Sequence, residues 1–218
     1  MRTKTDHTDT ILIDISDDSN LQNSKMSRQT TDTKERILKA AGTLYSVHGP
    51  DGTTLDDIIT SAGITKGAFY HYFKTKESLS DKLIDMVISE YQQLALSIDT
   101  EQEPIEQLRQ IIQKIIDLNA SGQWINCRLI LRFSADSHEL QPQIQQRIQK
   151  FWQWYTGFYE ELIQKCRDTG QFGTQLDVQT QARILISIMA GTVILEKASP
   201  TSPKLGDLAG AIVSLLRA

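Results

Sequence analysis

The chain has few of the residues from which metal sites and disulfide-stapled folds are built. Its 218 residues contain two cysteines and four histidines, and their spacing suits no metal site. The sequence shows no glycine-rich phosphate loop after a strand, no nucleophile elbow and no His-Glu metal helix. No stretch approaches the apolar length of a membrane span, and a short apolar patch near the N-terminus is followed by Asp17 and Asp18, unlike a secretory signal. We therefore expect a cytoplasmic protein that is not an enzyme and holds no metal or other cofactor.

A strong excess of either charge is also missing. Lys and Arg number 23 against 27 Asp and Glu, which gives a net charge of −4 and argues against uniform coating of DNA. By region, residues 25–82 hold nine basic and seven acidic residues, whereas residues 83–218 hold twelve and fifteen. A chain of this length, 39% hydrophobic, suits a small basic head and a larger acidic body.

The first 30 residues differ from the rest. They are rich in Thr, Asp, Ser and Asn, and up to Lys25 they carry five acidic and three basic residues. This composition predicts a disordered extension at 1–30. If it is present, Lys25 and Arg28 would form an arm beside any DNA that the head binds.

Residues 53–78 carry the most informative pattern, which is two short helices joined by a tight turn. Thr54 is placed to cap the first helix, with Asp57 three residues later to complete a capping box. Gly63 ends that helix, because glycine enters the left-handed region without steric cost. Thr65 caps a second helix that is aromatic and basic. A helix-turn-helix requires a small residue at the turn, apolar residues inside and donors at the start of its second helix, which enters the major groove.

The second helix has an inner and an outer face. Phe69 and Phe73 are four residues apart and share the side that packs against the first helix. The residues left on the outside are suited to phosphates and base edges, and they are Lys66, Gly67, Tyr70, His71 and Lys74. The outline alone leaves two interpretations open, a DNA-binding surface or ordinary half-buried and solvated side chains.

The detailed string favours the first interpretation. Residues 65–79, Thr-Lys-Gly-Ala-Phe-Tyr-His-Tyr-Phe-Lys-Thr-Lys-Glu-Ser-Leu, follow Ile-Leu-Lys-Ala-Ala at 37–41 and His-Gly at 48–49. Together they resemble the DNA-binding domain of the tetracycline-repressor (TetR) family of one-component bacterial regulators. The resemblance covers about residues 31–91, and beyond Tyr91 it extends only to architecture.

The resemblance implies which residues contact DNA. In the family these positions lie at the helix caps and along the outer face of the recognition helix. Carried over onto this sequence, they are Thr54, Thr65, Lys66, Gly67, Tyr70, His71, Tyr72, Lys74 and Lys76. The first and last of this set are implied to bind phosphates. Ala68 stands where some relatives carry a polar base-reading side chain, so direct readout falls to Thr65, Lys66 and His71.

Helical patterns continue to the end of the chain, and no strand pattern competes with them. The sequence predicts an all-α protein of nine or ten helices, with an N-terminal three-helix helix-turn-helix domain and a C-terminal helical domain. Asp32 and Glu35 form a capping box that would start the first helix, and Gly49 with the following proline would end it. Thr75 caps a fourth helix, which leaves the head at about Tyr91 and enters the body.

Five further helices are predicted at about 104–121, 125–134, 142–168, 178–197 and 205–217. The predicted division is a disordered extension at 1–30, a DNA-binding domain at 31–91 with its helix-turn-helix at about 54–73, and an effector-binding and dimerisation domain at 92–218. Because members of the TetR family commonly begin near Met26, translation of residues 1–25 is left open.

Residues 183–195 are almost continuously apolar or small, so more than one face of this helix must be covered. One cover is the body, and the other is either a partner subunit or further core. Pairing with the helix at 142–168 and with both helices of a second chain would give a four-helix homodimer interface, the usual arrangement in the family. The predicted interface residues are Phe158, Leu162, Ile184, Ile188, Gly191 and Leu195.

Six of the fifteen aromatic residues lie at 151–159. Such a cluster suits a pocket for a flat hydrophobic effector, and core or dimer packing is the alternative. The residues predicted for an effector pocket are Trp124, Cys127, Phe133, Trp152, Tyr155 and Tyr159. Cys127 also suggests electrophile or redox sensing, because Arg128 and Arg132 would lower the pKa of its thiol if they faced it. The alternative is a buried small hydrophobic side chain.

These features predict a homodimeric regulator of transcription, a repressor that a small-molecule effector releases from double-stranded operator DNA. Three alternatives stay open: a regulator that senses through Cys127, a partner-binding module whose head no longer recognises DNA, and an architectural DNA-binding protein. The large, aromatic, acidic body argues against the last, because a purely architectural protein has no need of such a domain.

Overall fold

Nine helices account for the part of the chain that the structure describes. This structure is a computed structural model, and it describes residues 18–121, 125–136, 140–198 and 208–217. The helices are α1 (Asp18–His48), α2 (Leu55–Ala62), α3 (Lys66–Tyr72), α4 (Lys76–Leu96), α5 (Pro104–Ala120), α6 (Asn126–Ala135), α7 (Pro142–Asp168), α8 (Val178–Ala198) and α9 (Leu208–Leu216). No strand occurs in these ranges, so the all-α prediction is confirmed.

The first helix begins earlier than the sequence predicts. α1 extends back to Asp18, so the capping box at Asp32 does not start it, and residues 18–30 are helical rather than disordered. Neither proline nor glycine occurs between Asp18 and Ala41, so no residue in this stretch stops a helix that continues outward from the packed segment. The predicted disorder of residues 1–17 lies outside the described residues, and the domain boundaries stay a prediction.

The head is formed by α1, α2 and α3 around a small core. Ile37 and Ala41 of α1, Ile58 of α2 and Phe69 of α3 are buried together, with Phe73 closing the end of α3. The two phenylalanine rings lie 5.9 Å apart, centroid to centroid. Burying both rings on one side of a seven-residue helix leaves the other side of α3 facing outward, as the sequence predicts.

The fourth helix joins this head to the body. Thr75 caps α4 by accepting from the backbone N–H of Ser78, and the buried side of the helix runs from Leu79 through Leu83 and Val87 to Tyr91. The Tyr91 ring lies among body aromatics, 5.2 Å from the Phe151 ring and 5.3 Å from the Tyr155 ring. One continuous helix therefore contacts the head core at one end and the body core at the other.

The body is a bundle in which α5, α7, α8 and α9 pack on one another and α6 lies against α1 and α4. Pro104 and Pro142 stand in the first turns of α5 and α7, where a missing N–H costs nothing. α8 is held at its start, where Gln181 accepts from Arg167 and donates to the backbone oxygen of Leu216.

The expectation that no segment reaches the apolar length of a membrane span is wrong for α8. Its window Val178–Leu195 has a mean hydropathy of 1.4 and meets the length and composition of a spanning helix, with 28% of the window buried inside the chain. One such helix is weak support for a span, because the core helix of a soluble protein passes the same test. The polar contacts of Gln181 and the buried side of α8 fit packing in a helical body.

Candidate nucleic-acid interface and effector cavity

The outer face of α3 presents hydrogen-bond donors to solvent. Lys66, His71 and Lys74 are exposed, and Tyr70 keeps 41% of its surface accessible. The Lys74 ammonium lies 3.4 Å from the backbone oxygen of Tyr70, at the end of the helix. Cationic and aromatic donors therefore stand together on the face that Phe69 leaves free.

The first residues of this helix are held by a cap. The hydroxyl oxygen of Thr65 accepts a hydrogen bond from the backbone N–H of Ala68 at 3.2 Å, and Thr65, Lys66 and Gly67 are all exposed. A Cβ added to Gly67 would meet only Thr65 Oγ1, at 4.0 Å. This end of α3 is open to a close approach by DNA, as the resemblance implies.

Thr54, which the resemblance implies to be a phosphate contact, is already hydrogen-bonded to Asp57 at the N-terminus of α2. The Thr54 hydroxyl donates to an oxygen of Asp57 at 2.6 Å, and the Thr54 backbone N–H donates to the same oxygen at 2.8 Å. The Asp57 backbone N–H donates to the Thr54 hydroxyl oxygen at 3.2 Å. These bonds hold the pKa of Asp57 below its usual value. A phosphate at Thr54 would have to replace this carboxylate as acceptor.

Two members of the implied DNA-binding set have contacts inside the head. Lys76 is half-buried, and its ammonium donates to the backbone oxygens of Pro50 at 2.8 Å and Thr53 at 3.2 Å. Tyr72 is half-buried as well, and it packs against the core. Lys76 therefore ties α4 to the loop before α2, and one of its three N–H groups is left for a phosphate.

A residue that the sequence did not suggest stabilises the turn of the helix-turn-helix. Arg36 of α1 donates to the backbone oxygens of Ala62 at 2.6 Å and Gly63 at 2.9 Å. These carbonyls end α2, and Gly63 lies in the left-handed region at φ 61°. A guanidinium that bonds the last carbonyls of a helix stabilises its C-terminus. No local pattern marks Arg36, because its partners lie 26 and 27 residues away.

The body joins the head through two further arginines that the sequence did not suggest. Arg147 of α7 contacts Asp81 and Asp85 of α4, with nitrogen-to-oxygen distances of 3.3 and 3.1 Å. Two acidic residues one turn apart on α4 indicate a basic partner but do not identify it. Arg132 of α6 donates to the backbone oxygen of His48, the last residue of α1, at 3.3 Å.

Three of the six residues predicted for an effector pocket line one cavity. Cys127, Trp152 and Tyr155 do so together with Tyr91 and residues of α5 and α8. The cavity has a volume of about 20 Å³, which is room for one water molecule. A larger ligand therefore requires this cavity to open.

The other three predicted pocket residues lie elsewhere. Phe133 is completely buried and packs edge-on against Tyr45, with ring centroids 6.0 Å apart, so it belongs to the contact between α6 and α1. Tyr159 is buried behind the cavity, and its hydroxyl lies 3.2 Å from that of Tyr155. Trp124 lies outside the described residues. Because consecutive residues spread around a helix, the aromatic residues at 151–159 do not all face the same cavity.

The structure contradicts the proposed activation of Cys127. Its sulfur lies 2.7 Å from the Tyr91 hydroxyl and accepts from Asn119 at 3.1 Å. Burial raises the pKa of the Cys127 thiol, and the hydrogen bonds and Arg128 offset this only in part. Cys166 is also buried, and burial raises the pKa of its thiol to about 11. Both cysteines are free, and neither has the lowered pKa of a reactive thiol.

A second, open groove lies beside the cavity, between α1, α6 and α8, with a volume of about 490 Å³. Its lining consists of Ser46, Arg128, Leu131, Arg132, Ala135, Val193 and Ile194. Leu131 and Val193 line the closed cavity too, so they form the partition between the two spaces. The sequence did not predict this groove, because its walls come from three helices distant in the chain.

The residues predicted for a dimer interface divide into two groups. Ile184 and Leu195 are exposed, Leu195 over 65% of its surface, and Phe158, Ile188 and Gly191 are half-buried. Leu162 is instead 4% exposed and belongs to the subunit's own core, because it occupies the inner face of α7 with Tyr155 and Tyr159. Without Leu162, the predicted set still outlines an apolar face on α7 and α8.

The described side chains contain no group of three or more His, Cys, Asp or Glu residues that could hold a metal ion. What the geometry does bring together is an exposed basic and aromatic helix, a glycine turn and a capped supporting helix, joined by α4 to a larger helical body. A head of this kind defines a helix-turn-helix DNA-binding protein of the regulator class.

Known proteins are similar to this chain in sequence. Residues 37–83 match the model of the family described as "Bacterial regulatory proteins, tetR family". The HTH-type transcriptional repressor KstR2 of Mycolicibacterium smegmatis is 34% identical over 84 residues, which are 37% of this chain and 40% of that protein. The biofilm operon icaADBC HTH-type negative transcriptional regulator IcaR of Staphylococcus epidermidis is 29% identical over 130 residues, 60% of this chain and 67% of that protein.

The fold agrees with this match over a longer part of the chain. The transcriptional regulator FadR of Bacillus subtilis, solved in complex with stearoyl-CoA, superposes with a TM-score of 0.67 at 19% identity, covering 84% of this chain and 97% of that one. Residues 37–83 therefore match the DNA-binding domain of the tetR family of bacterial regulatory proteins, and the relatives that the chain resembles are transcriptional regulators. Its match spans 40% of KstR2's length, and these relatives are regulators rather than enzymes.

Proposed function

We propose that the protein is a repressor whose dimer binds operator DNA through the exposed face of α3 and is released by a small molecule bound in the helical body. The observation that carries the DNA-binding part is the two-sided α3, with Phe69 buried on one side and Lys66, Tyr70 and His71 exposed on the other. The relatives KstR2 and IcaR, by their names a repressor and a negative regulator, favour repression over activation.

A dimer follows from the energetics of the head. Because residues 25–82 carry an excess of only two basic residues, one head would bind DNA weakly. Two heads related by a twofold axis double the phosphate contacts and require two half-sites at a set spacing. The exposed apolar side chains Ile184 and Leu195 support α8 as part of the subunit interface, with α7 beside it. Like the regulators of the tetR family that it resembles, the protein would act in the cytoplasm.

The effector would act through α4. Tyr91, near the C-terminal end of this helix, borders the closed cavity, and Leu79 near its start packs in the core beside the head. A ligand that widens the cavity would move Tyr91, and with it the position of α3 relative to its partner in the dimer. Such a ligand releases DNA only if it binds the released state more tightly than the DNA-bound state.

Two of the three alternative functions considered from the sequence receive less support from the structure. Sensing through Cys127 requires an accessible thiolate, whereas this thiol is buried with a raised pKa. A partner-binding module without DNA recognition would have no need for the exposed donors of α3. The partner-binding module remains as an outcome of the experiment below.

Fluorescence anisotropy with the DNA upstream of the protein's own gene tests the proposal. The full chain should bind a palindromic segment at nanomolar concentration in low salt, and Tyr70→Ala should weaken this binding at least tenfold. Lys150→Ala serves as control, because Lys150 is exposed on α7 and is not among the residues proposed to contact DNA. Salt-insensitive or absent binding by the wild type would overturn the proposal and favour the partner-binding module.

A further inference from the structure

The open groove between α1, α6 and α8 has the size and shape of a ligand site. Its volume of about 490 Å³ lies within the range of sites for small molecules. The closed aromatic cavity beside it has room for one water molecule only. Of these two spaces, only the groove has room for a small-molecule ligand in this conformation.

The two arginines that line the groove favour an anionic ligand. Arg128 and Arg132 stand one turn apart on α6 and both line it, and no carboxylate does. Arg132 is already paired with Asp136 at 3.0 Å. Arg128 is half-buried and forms no hydrogen bond or ion pair with any group in the described part of the chain. A half-buried guanidinium that has no anionic partner is suited to bind the anionic group of a ligand.

The remaining lining of the groove is apolar. Leu131 and Ala135 lie on the same face of α6 as the two arginines, and Val193 and Ile194 of α8 stand opposite. The spacing of the α6 residues, at 128, 131, 132 and 135, gives one continuous stripe. This surface would cover a hydrocarbon or aromatic body whose charged end lies at Arg128.

The groove also reaches the junction with the head. Arg132 donates to the backbone oxygen of His48 at 3.3 Å, and Ser46 of α1 lines the groove. Gly49 follows, and a Cβ added there would stand 2.8 Å from both Arg132 Nε and Asp136 Oδ2. An anion that attracts Arg132 would therefore compete with a contact that holds the end of α1 to α6.

We propose that this groove binds an organic anion with an apolar or aromatic body, its charged group on Arg128 and its body against Leu131 and Val193. The inference rests on the proposed function, because it names the chemical class of the effector. Binding would draw Arg132 from the His48 carbonyl, and Leu131 and Val193 would transmit the displacement to the aromatic cavity. The end of α1 and the cavity next to Tyr91 would respond together.

Two fluorescent probes with the same ring system test the charge requirement. Anilinonaphthalene sulfonate carries a sulfonate that phenylnaphthylamine lacks, and both become brighter in apolar surroundings. The full-length dimer should bind the sulfonate about tenfold more tightly than the neutral probe, the difference expected of one charge-assisted hydrogen bond. Arg128→Met should remove this preference, weakening the sulfonate about tenfold and leaving the neutral probe unchanged.

Arg109→Met is the matched control, because Arg109 is exposed on α5 and paired with Glu106 at 4.0 Å. Leu131→Trp gives a second measurement, since filling the groove should weaken both probes. Equal affinity of the wild type for the two probes, or an equal loss for both in Arg128→Met, would overturn the proposal. So would unchanged binding of both probes in Leu131→Trp.

Operator binding, measured on the same samples, separates this inference from the proposed function. The sulfonate probe should lower the affinity of the wild type for operator DNA, and Arg128→Met should bind DNA normally but respond about tenfold less to the probe. If the wild type binds DNA and shows no charge preference between probes, only the groove proposal fails. If the wild type binds no DNA, the proposed function itself fails.

Discussion

At the scale of single residues, the head is held together by side chains bonded to backbone carbonyls. Arg36 bonds the end of α2, and Lys76 bonds the loop before it. Each basic residue used in this way is less available to DNA, so the proposed contacts to phosphate and base fall mainly to Lys66, Tyr70 and His71. The spacing of basic residues in the sequence does not distinguish these two uses.

Lys66→Ala separates a phosphate contact from a base contact. If Lys66 neutralises a phosphate, the slope of log affinity against log salt should become shallower by about 0.9 for each head, or about 1.8 for a dimer that carries the change in both heads. Titrations of operator DNA at several salt concentrations measure the slope, and Lys150→Ala should leave it unchanged. An unaltered slope together with relaxed preference among operator variants would instead make Lys66 a base-reading residue.

The two cysteines should resist alkylation in the folded protein. With a pKa of about 11 for Cys166, about one thiol in a thousand is ionised at pH 8, and both side chains are buried. Labelling by N-ethylmaleimide, followed by mass spectrometry, should be slow, and DNA binding should survive it. Denatured protein should label within the mixing time. Rapid native labelling at Cys127 with loss of DNA binding would restore the sensing hypothesis.

At the scale of helices, the capping threonines, the glycines and the prolines of the sequence predict most of the helix boundaries. Thr54, Gly63 and Thr65 bound α2 and the start of α3, and Pro104 and Pro142 stand where α5 and α7 begin. The start of α1 was missed because no residue there stops a helix. The groove and the arginine contacts were missed, and the cavity was predicted only in part, because they depend on how helices pack and helical periodicity gives only the faces that pack.

Gly49→Ala should destabilise the end of α1 more than its backbone angle alone explains. Gly49 has φ 78° and Gly170 has φ 71°, so alanine at either position incurs a left-handed strain of about 1–2 kcal/mol. Only at Gly49 would the new Cβ meet other atoms, those of Arg132 and Asp136, whereas nothing lies within 4 Å at Gly170. Urea unfolding should therefore show a larger loss for Gly49→Ala than for Gly170→Ala, and equal losses would contradict this packing.

At the scale of the whole molecule, two exposed surfaces suit binding partners of different kinds. The outer face of α3 is polar and basic, which suits DNA. The outer face of α8 exposes Ile184 and Leu195, which suits another apolar surface. The resemblance to the TetR family covers the α3 surface residue by residue. It covers the α8 surface only through the order of the helices, because the packing of subunits requires no short sequence motif.

Leu195→Glu should dissociate the dimer. The buried charge would face the apolar surface of the second subunit, at a cost of several kcal/mol if it stays ionised. Light scattering at micromolar concentration should give the mass of a dimer for the wild type and of a monomer for the variant. Leu96→Glu is the control, because Leu96 is 84% exposed at the end of α4 and should leave the mass unchanged. A dimeric Leu195→Glu protein, or a monomeric wild type, would reject α8 as the interface.

The double contact of Arg147 with Asp81 and Asp85 has a consequence for genetics. Because it fastens α7 to the half of α4 nearest the head, weakening it should spare both DNA recognition and effector binding while loosening the communication between them. A selection for cells that keep the regulated genes silent in the presence of inducer should therefore recover changes at these three residues. Such alleles would change no residue assigned to either ligand, and the purified proteins would behave normally in either binding assay taken alone.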